Sequence, residues 1–166
     1  MLISNFDNLD MDNLYIFGYG SLCYPAGING RGMEHEYTFD ELHTVILDSY
    51  KRGWYAKYNR WSFYGIILSN KHNVNGVVIK IYSKSDLLAL FKSEEVGKVY
   101  EVHDVTKKIM GFPAFQTRPT ILSLIALNKN CLYGNKYPYY EQDVFNGISH
   151  WGKGFVESFE NTTHIY

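Results

Sequence analysis

Four consecutive apolar residues, Leu14, Tyr15, Ile16 and Phe17, run into a Gly-Tyr-Gly-Ser-Leu turn at 18–22. A short apolar run closed by glycine is the pattern of a strand covered on both faces. Residues 41–50 and 60–69 are rich in β-branched and aromatic side chains and read as two further strands. Residues 73–83 add a third member of the same sheet, and the Asn75-Gly76 pair near its start suits a turn or a bulge.

The period then changes. Ser83 and Asp86 stand at helix-start spacing, apolar residues follow at 87, 88, 90 and 91, and Gly97 is placed to end the segment, which predicts a helix of about three turns. Residues 98–106 alternate, residues 119–127 form another apolar run, and both read as strands around a loop that contains Gly111 and Pro113. In the last third, Val144, Ile148, Trp151, Phe155 and Phe159 recur at spacings of three to four, which predicts helices. Strands with helices added, and no steady strand-helix alternation, predict an α+β protein. Its mixed sheet is expected to be closed or partly closed into a barrel, with helices flanking it.

The 166 residues are enough for one core, so residues 14–166 are read as a single domain. Residues 1–13, whose few apolar positions are interrupted by Asp7, Asp10 and Asp12, are read as a loose tail. Sixteen Lys and Arg against 17 Asp and Glu give no electrostatic reason to expect nucleic acid as a partner. The acidic start does not resemble a secretory leader, the longest apolar run near the end is too short to span a bilayer, and a cytoplasmic protein without a membrane span is expected. Cys23 and Cys131 are far apart and the six histidines show no ligand-like spacing, so no metal is expected.

Two features carry candidate chemistry. Glycines at 18 and 20 are explained by turn geometry alone, but they also uncover main-chain amides at Tyr19, Gly20, Ser21 and Leu22 that suit an anion or a carbonyl oxygen. Ser21 either adds a hydrogen bond to a ligand or satisfies its own turn. On the helix, Glu94 lies seven residues after Leu87 and four after Leu90, on the stripe that buries those leucines. Glu95 borders the same face, and one of the two is expected to enter a pocket while the other stays outside. If Glu94 is the inward one, desolvation is expected to raise its pKa and make it a proton acceptor. The plain alternative is that both are surface charges on a frayed helix end.

Together, YIFGYGSL, VNGVVIKIY and LLALFKSEEVGKVYEVHDV resemble the γ-glutamylcyclotransferase superfamily over about residues 14–106. PYYEQDVFNGISHWGKGFVESF is similar to the family's final helical segment. The resemblance implies a cofactor-free enzyme whose partner is a small-molecule γ-glutamyl substrate, cyclised to 5-oxoproline with release of an amine. It matches Glu94 to the catalytic glutamate, Tyr19, Gly20, Ser21 and Leu22 to the substrate-cradling loop, and Tyr100 to the family's tyrosine. The sequence departs from the family's pattern at Phe91, where aspartate is frequent, and at Glu95, where glycine is common. Those departures motivate a second reading, a ligand-binding protein of the same fold without turnover.

A third reading rests on Tyr55, Tyr58 and Trp61 beside Lys57 and Arg60, a composition suited to stacking a sugar or nucleobase. Arg52 is either a partner for a substrate carboxylate or a solvated charge. Variable loops at 53–60 and 111–118 are expected to shape the part of the pocket that meets the leaving amine.

Overall fold

The computed structural model describes residues 1–113, 118–132 and 134–164. Its central strand is β2 (Leu14–Gly18), buried throughout as the unbroken apolar run requires. Alternation sends Leu14 and Ile16 into a core on one face of the sheet, and Tyr15 and Phe17 into a second core on the other. Strands β3 (Leu42–Tyr58) and β4 (Trp61–Lys80) form a long antiparallel hairpin turning at 59–60. β4 flanks β2 on one side; β7 (Thr120–Ala126) flanks it on the other, in parallel. Beyond β7 come β5 (Tyr100–Asp104) and β1 (Leu2–Ile3), and beyond β3 comes β6 (Ile109–Met110). A last short strand, β8 (Thr163–His164), pairs with β3 in parallel.

The fold is α+β, and the described residues form one mixed sheet of eight strands. The sheet is open, not closed into a barrel: its path runs from β1 at one edge to β6 at the other. The segments at 60–69 and 73–83 are not separate strands but two parts of β4, joined where the register jumps between Asp48 paired to Asn73 and Tyr50 paired to Leu68. Asn75-Gly76 therefore makes no turn. Gly76 lies flat against its neighbour, where a Cβ would fall 2.2 Å from the Gly18 carbonyl oxygen.

The N-terminal segment is tied down. Leu2 and Ile3 pair with His103 and Val102, the Met1 ammonium donates to the Asp104 carbonyl, and Phe6 packs edge-on against Phe91 at 5.0 Å. Residues 53–58, expected in a loop, belong to β3. Of the other expected loop, 111–118, residues 114–117 lie outside the described residues.

Among the described residues four α-helices complete the fold: α1 (Pro25–Ile28), α2 (Lys84–Ser93), α3 (Tyr140–Ile148) and α4 (Lys153–Asn161). The Ser83 hydroxyl caps α2 by accepting from the Asp86 amide, and Leu87, Leu90 and Phe91 bury its inner stripe. Glu94 caps the other end, after which Glu95 and Gly97 take positive φ and turn the chain into β5. Among the described residues no helix is long and apolar enough to cross a membrane.

Candidate active site

The loop that leaves β2 and the C-terminal end of α2 meet across a cavity of about 420 Å³, within the size range of small-ligand sites. Tyr19, Gly20, Ser21, Leu22, Glu94 and Tyr100 all line it. The loop turns through a short 3₁₀ segment, Ser21–Cys23, closed by the Cys23 amide donating to the Gly20 carbonyl at 3.0 Å. Glycine is needed at 18 because a Cβ there would come within 2.6 Å of the Leu22 Cβ. At 20 a Cβ would lie 2.9 Å from the Tyr140 hydroxyl, which would have to shift. The loop is thus kept thin where it borders the cavity.

The Glu94 side chain is nearly covered, and its carboxylate pairs with the Arg31 guanidinium. Arg31 also donates from NH2 to the Ser21 hydroxyl at 2.9 Å and from Nε to the Gly27 carbonyl at 2.6 Å. One side chain therefore joins the loop, the short helix α1 and the end of α2. Burial lowers the Arg31 pKa, while a cation beside a carboxylate favours its ionised form, an influence that opposes the desolvation expected for Glu94.

Both glutamates border the cavity, contrary to the expectation that one would stay outside. Glu95 turns its carboxylate to Lys98 at 2.8 Å and to the Tyr58 hydroxyl. Its left-handed backbone, φ 53°, is the reason the two neighbouring side chains diverge.

The tyrosine hydroxyls hold the walls together. Tyr19 donates to the Leu124 carbonyl at 2.6 Å and Tyr100 to the Tyr64 carbonyl at 3.1 Å, so both act through the scaffold as well as lining the cavity. Burial raises the pKa of both, so they are neutral donors near pH 7. Tyr140, from the start of α3, meets Ser21, and burial pushes its pKa up to about 12. Phe63, Tyr137 and Tyr58 form an aromatic side of the cavity in which Phe63 and Tyr137 stack at 5.4 Å.

Arg31, Tyr140, Tyr64 and Asp143 also line the site, and sequence reading did not single them out. A basic residue ten positions after Ser21 was the one local signal available for Arg31. Arg52, weighed as a carboxylate partner, is fully buried. It donates to the carbonyls of Tyr19, Asn75 and Phe159, to the Asn75 side-chain oxygen and to the hydroxyls of Thr162 and Thr163. The proposed stacking patch is divided: Tyr55 is buried in the core, whereas Arg60 lies over Trp61 at 4.7 Å. Among the described residues no group of three or more His, Cys, Asp or Glu could hold a metal ion.

Solved structures share this arrangement of strands and helices. YkqA from Bacillus subtilis matches with a TM-score of 0.67 at 21% identity, over 89% of this chain and 53% of its own. An uncharacterized protein from Homo sapiens matches with a TM-score of 0.62 at 22% identity, over 92% of this chain and 89% of its own. A γ-glutamyl cyclotransferase matches with a TM-score of 0.59 at 20% identity over the same shares, 92% and 89%. The chain has the γ-glutamylcyclotransferase-like fold. It spans about half the length of YkqA. No family model matches the chain, and no curated protein matches it by sequence.

Proposed function

We propose that this protein is a γ-glutamylcyclotransferase-like enzyme that cyclises the γ-glutamyl group of a small amine, peptide or glutathione-like substrate to 5-oxoproline. The observation that carries the reading is that Glu94 and the Tyr19–Leu22 loop face one cavity. The fold shared with a γ-glutamyl cyclotransferase supports it.

The chemistry asks for little more. A γ-glutamyl compound carries its own nucleophile, the α-amine, so bending the substrate brings nitrogen and γ-carbonyl together. Fixing that geometry supplies about 7–11 kcal/mol of barrier lowering in favourable intramolecular cases. Glu94 takes a proton from the α-ammonium, the nitrogen attacks the γ-carbon, and the loop faces the developing oxyanion. The bond from the γ-carbon to the leaving nitrogen then breaks. The attacking nitrogen gives up two protons in becoming the lactam nitrogen, and the leaving amine takes up both and departs as an ammonium ion. Glu94 is the shuttle and is regenerated.

A ligand-binding protein without turnover is the second reading, favoured by the Arg31 pairing that occupies Glu94 and by the departure at Glu95. A screen of γ-glutamyl amines, γ-glutamyl dipeptides and glutathione for 5-oxoproline release separates the two. Release by the native protein that falls in Glu94→Gln by about 10²–10⁴-fold is expected. Undiminished release in Glu94→Gln would remove Glu94 from the mechanism, and binding without release would establish the second reading.

A further inference from the structure

We propose that Arg31 is the anchor for the substrate's α-carboxylate, and that it exchanges Glu94 for that carboxylate when substrate enters. This rests on the γ-glutamyl reading of the cavity and adds a residue and an order of events to it.

Arg31 is the one lysine or arginine among the described residues that line the cavity. A γ-glutamyl group brings a carboxylate into this partly buried space, where an unpaired anion is costly. Arg52, the other arginine near the loop, has its donors committed to protein oxygens deep in the core. Arg31 divides its donors differently. Nε is held by a main-chain oxygen, that of Gly27, whereas NH1 ends on the side chains of Glu94 and Ser93 and NH2 on that of Ser21, all of which line the cavity. Those two nitrogens form the fork that grips a carboxylate in two parallel hydrogen bonds.

The exchange balances charge. In the resting site Arg31 is paired with Glu94, while Glu95, which also borders the cavity, is paired with Lys98, and Asp143 is a further carboxylate on its lining. The α-carbon end of the substrate is a zwitterion of the same kind as the Arg31–Glu94 pair. On entry the two pairs recombine: Arg31 takes the α-carboxylate and Glu94 takes the α-ammonium, whose proton it must accept. The base is freed only by a ligand that carries the carboxylate, so the resting ion pair selects for an α-amino acid head group.

The matched probes are 5-oxoproline, which has the carboxylate, and 2-pyrrolidinone, the same lactam without it. Titration calorimetry on the native protein is expected to show 5-oxoproline binding at least about tenfold tighter. Arg31→Gln should erase that preference, and Arg31→Lys should restore part of it. Glu94→Gln should tighten 5-oxoproline binding several-fold, because the competing carboxylate is gone; a purely structural Arg31–Glu94 pair would give no gain. Undiminished preference in Arg31→Gln, or unchanged or weaker binding in Glu94→Gln, overturns the exchange while leaving the γ-glutamyl reading intact. Failure of the native protein to bind either lactam, with no 5-oxoproline released from any γ-glutamyl compound, overturns that reading as well.

Discussion

The Tyr140 hydroxyl lies 2.9 Å from the position a Cβ would take on Gly20. Helix α3 thus closes on the loop, and a methyl group at 20 would have to displace the end of the Tyr140 side chain. Gly20→Ala should lower stability by about 1–3 kcal/mol, the range for overpacking a filled site. Tyr140→Phe removes the obstructing oxygen. In the Gly20→Ala background it should recover much of the loss, giving a coupling of about 1 kcal/mol or more in a double-mutant cycle by denaturant unfolding. Additive single effects would mean the two residues do not meet.

Glu95 occupies a left-handed backbone position at φ 53°, two residues before Gly97 at φ 91°. Side chains crowd the backbone there and glycine does not. The lost carboxylate partners Lys98, whose side chain is mostly exposed, so that ion pair contributes little. Glu95→Gly should therefore raise the melting temperature, by roughly 2–4 °C for a domain of this size. A fall of the same size would show that the contacts to Lys98 and Tyr58 outweigh the backbone strain.

Cys23 is fully buried beside the loop, and burial pushes its thiol up to about 12 from an ordinary 9.0. In the unfolded chain the thiol ionises near 9, whereas in the folded protein it does not, so above pH 9 the folded state holds more protons than the unfolded one. Stability from this group is then lost as pH rises, by about 1.4 kcal/mol per unit between 9 and 12 at most. Buried tyrosines act in the same direction, and comparison with Cys23→Ala isolates the thiol. The native protein should lose stability faster than Cys23→Ala over pH 9–11 in urea titrations. Parallel curves would contradict the shift.

What the sequence disclosed and what it hid divide along contact range. The β2 turn, the α2 helix with its Ser83 cap, and the residue at its far end were legible because each is written in neighbouring positions. The same local signals put Glu94 and the loop on the candidate list, although their approach across one cavity needed the fold. Arg31 and Tyr140 were hidden because their roles depend on segments 63 residues apart in the first case, Arg31 to Glu94, and 119 apart in the second, Ser21 to Tyr140. Asn75-Gly76 misled for a related reason. The pair suits a turn locally, but Gly76 is there so that β4 can press against Gly18. The open sheet could not be foreseen either, since closure depends on how the edges end and not on how many strands there are.

Arg52 joins the C-terminal segment to the site, and its removal should loosen both. Its guanidinium donates to the Phe159 carbonyl and the Thr162 and Thr163 hydroxyls at one end, and to the Tyr19 carbonyl at 3.0 Å at the other. The Phe159 ring covers it at 3.4 Å. No carboxylate is among these partners, so the charge is met by the carbonyl end of α4, whose dipole is negative there. Arg52→Met leaves several buried acceptors unpaired at about 1–3 kcal/mol each, a loss of at least about 3 kcal/mol. Arg52→Lys should recover little, because a single ammonium cannot reach partners spread around a planar fork. Hydrogen exchange offers the more specific reading. In Arg52→Lys, amides of 153–164 and 19–22 should exchange faster together, while β5 and β7, which Arg52 does not touch, keep more of their protection. Fast exchange in 153–164 with an unchanged loop would mean that the Tyr19 carbonyl is held by the sheet alone, and that α4 has no part in shaping the site.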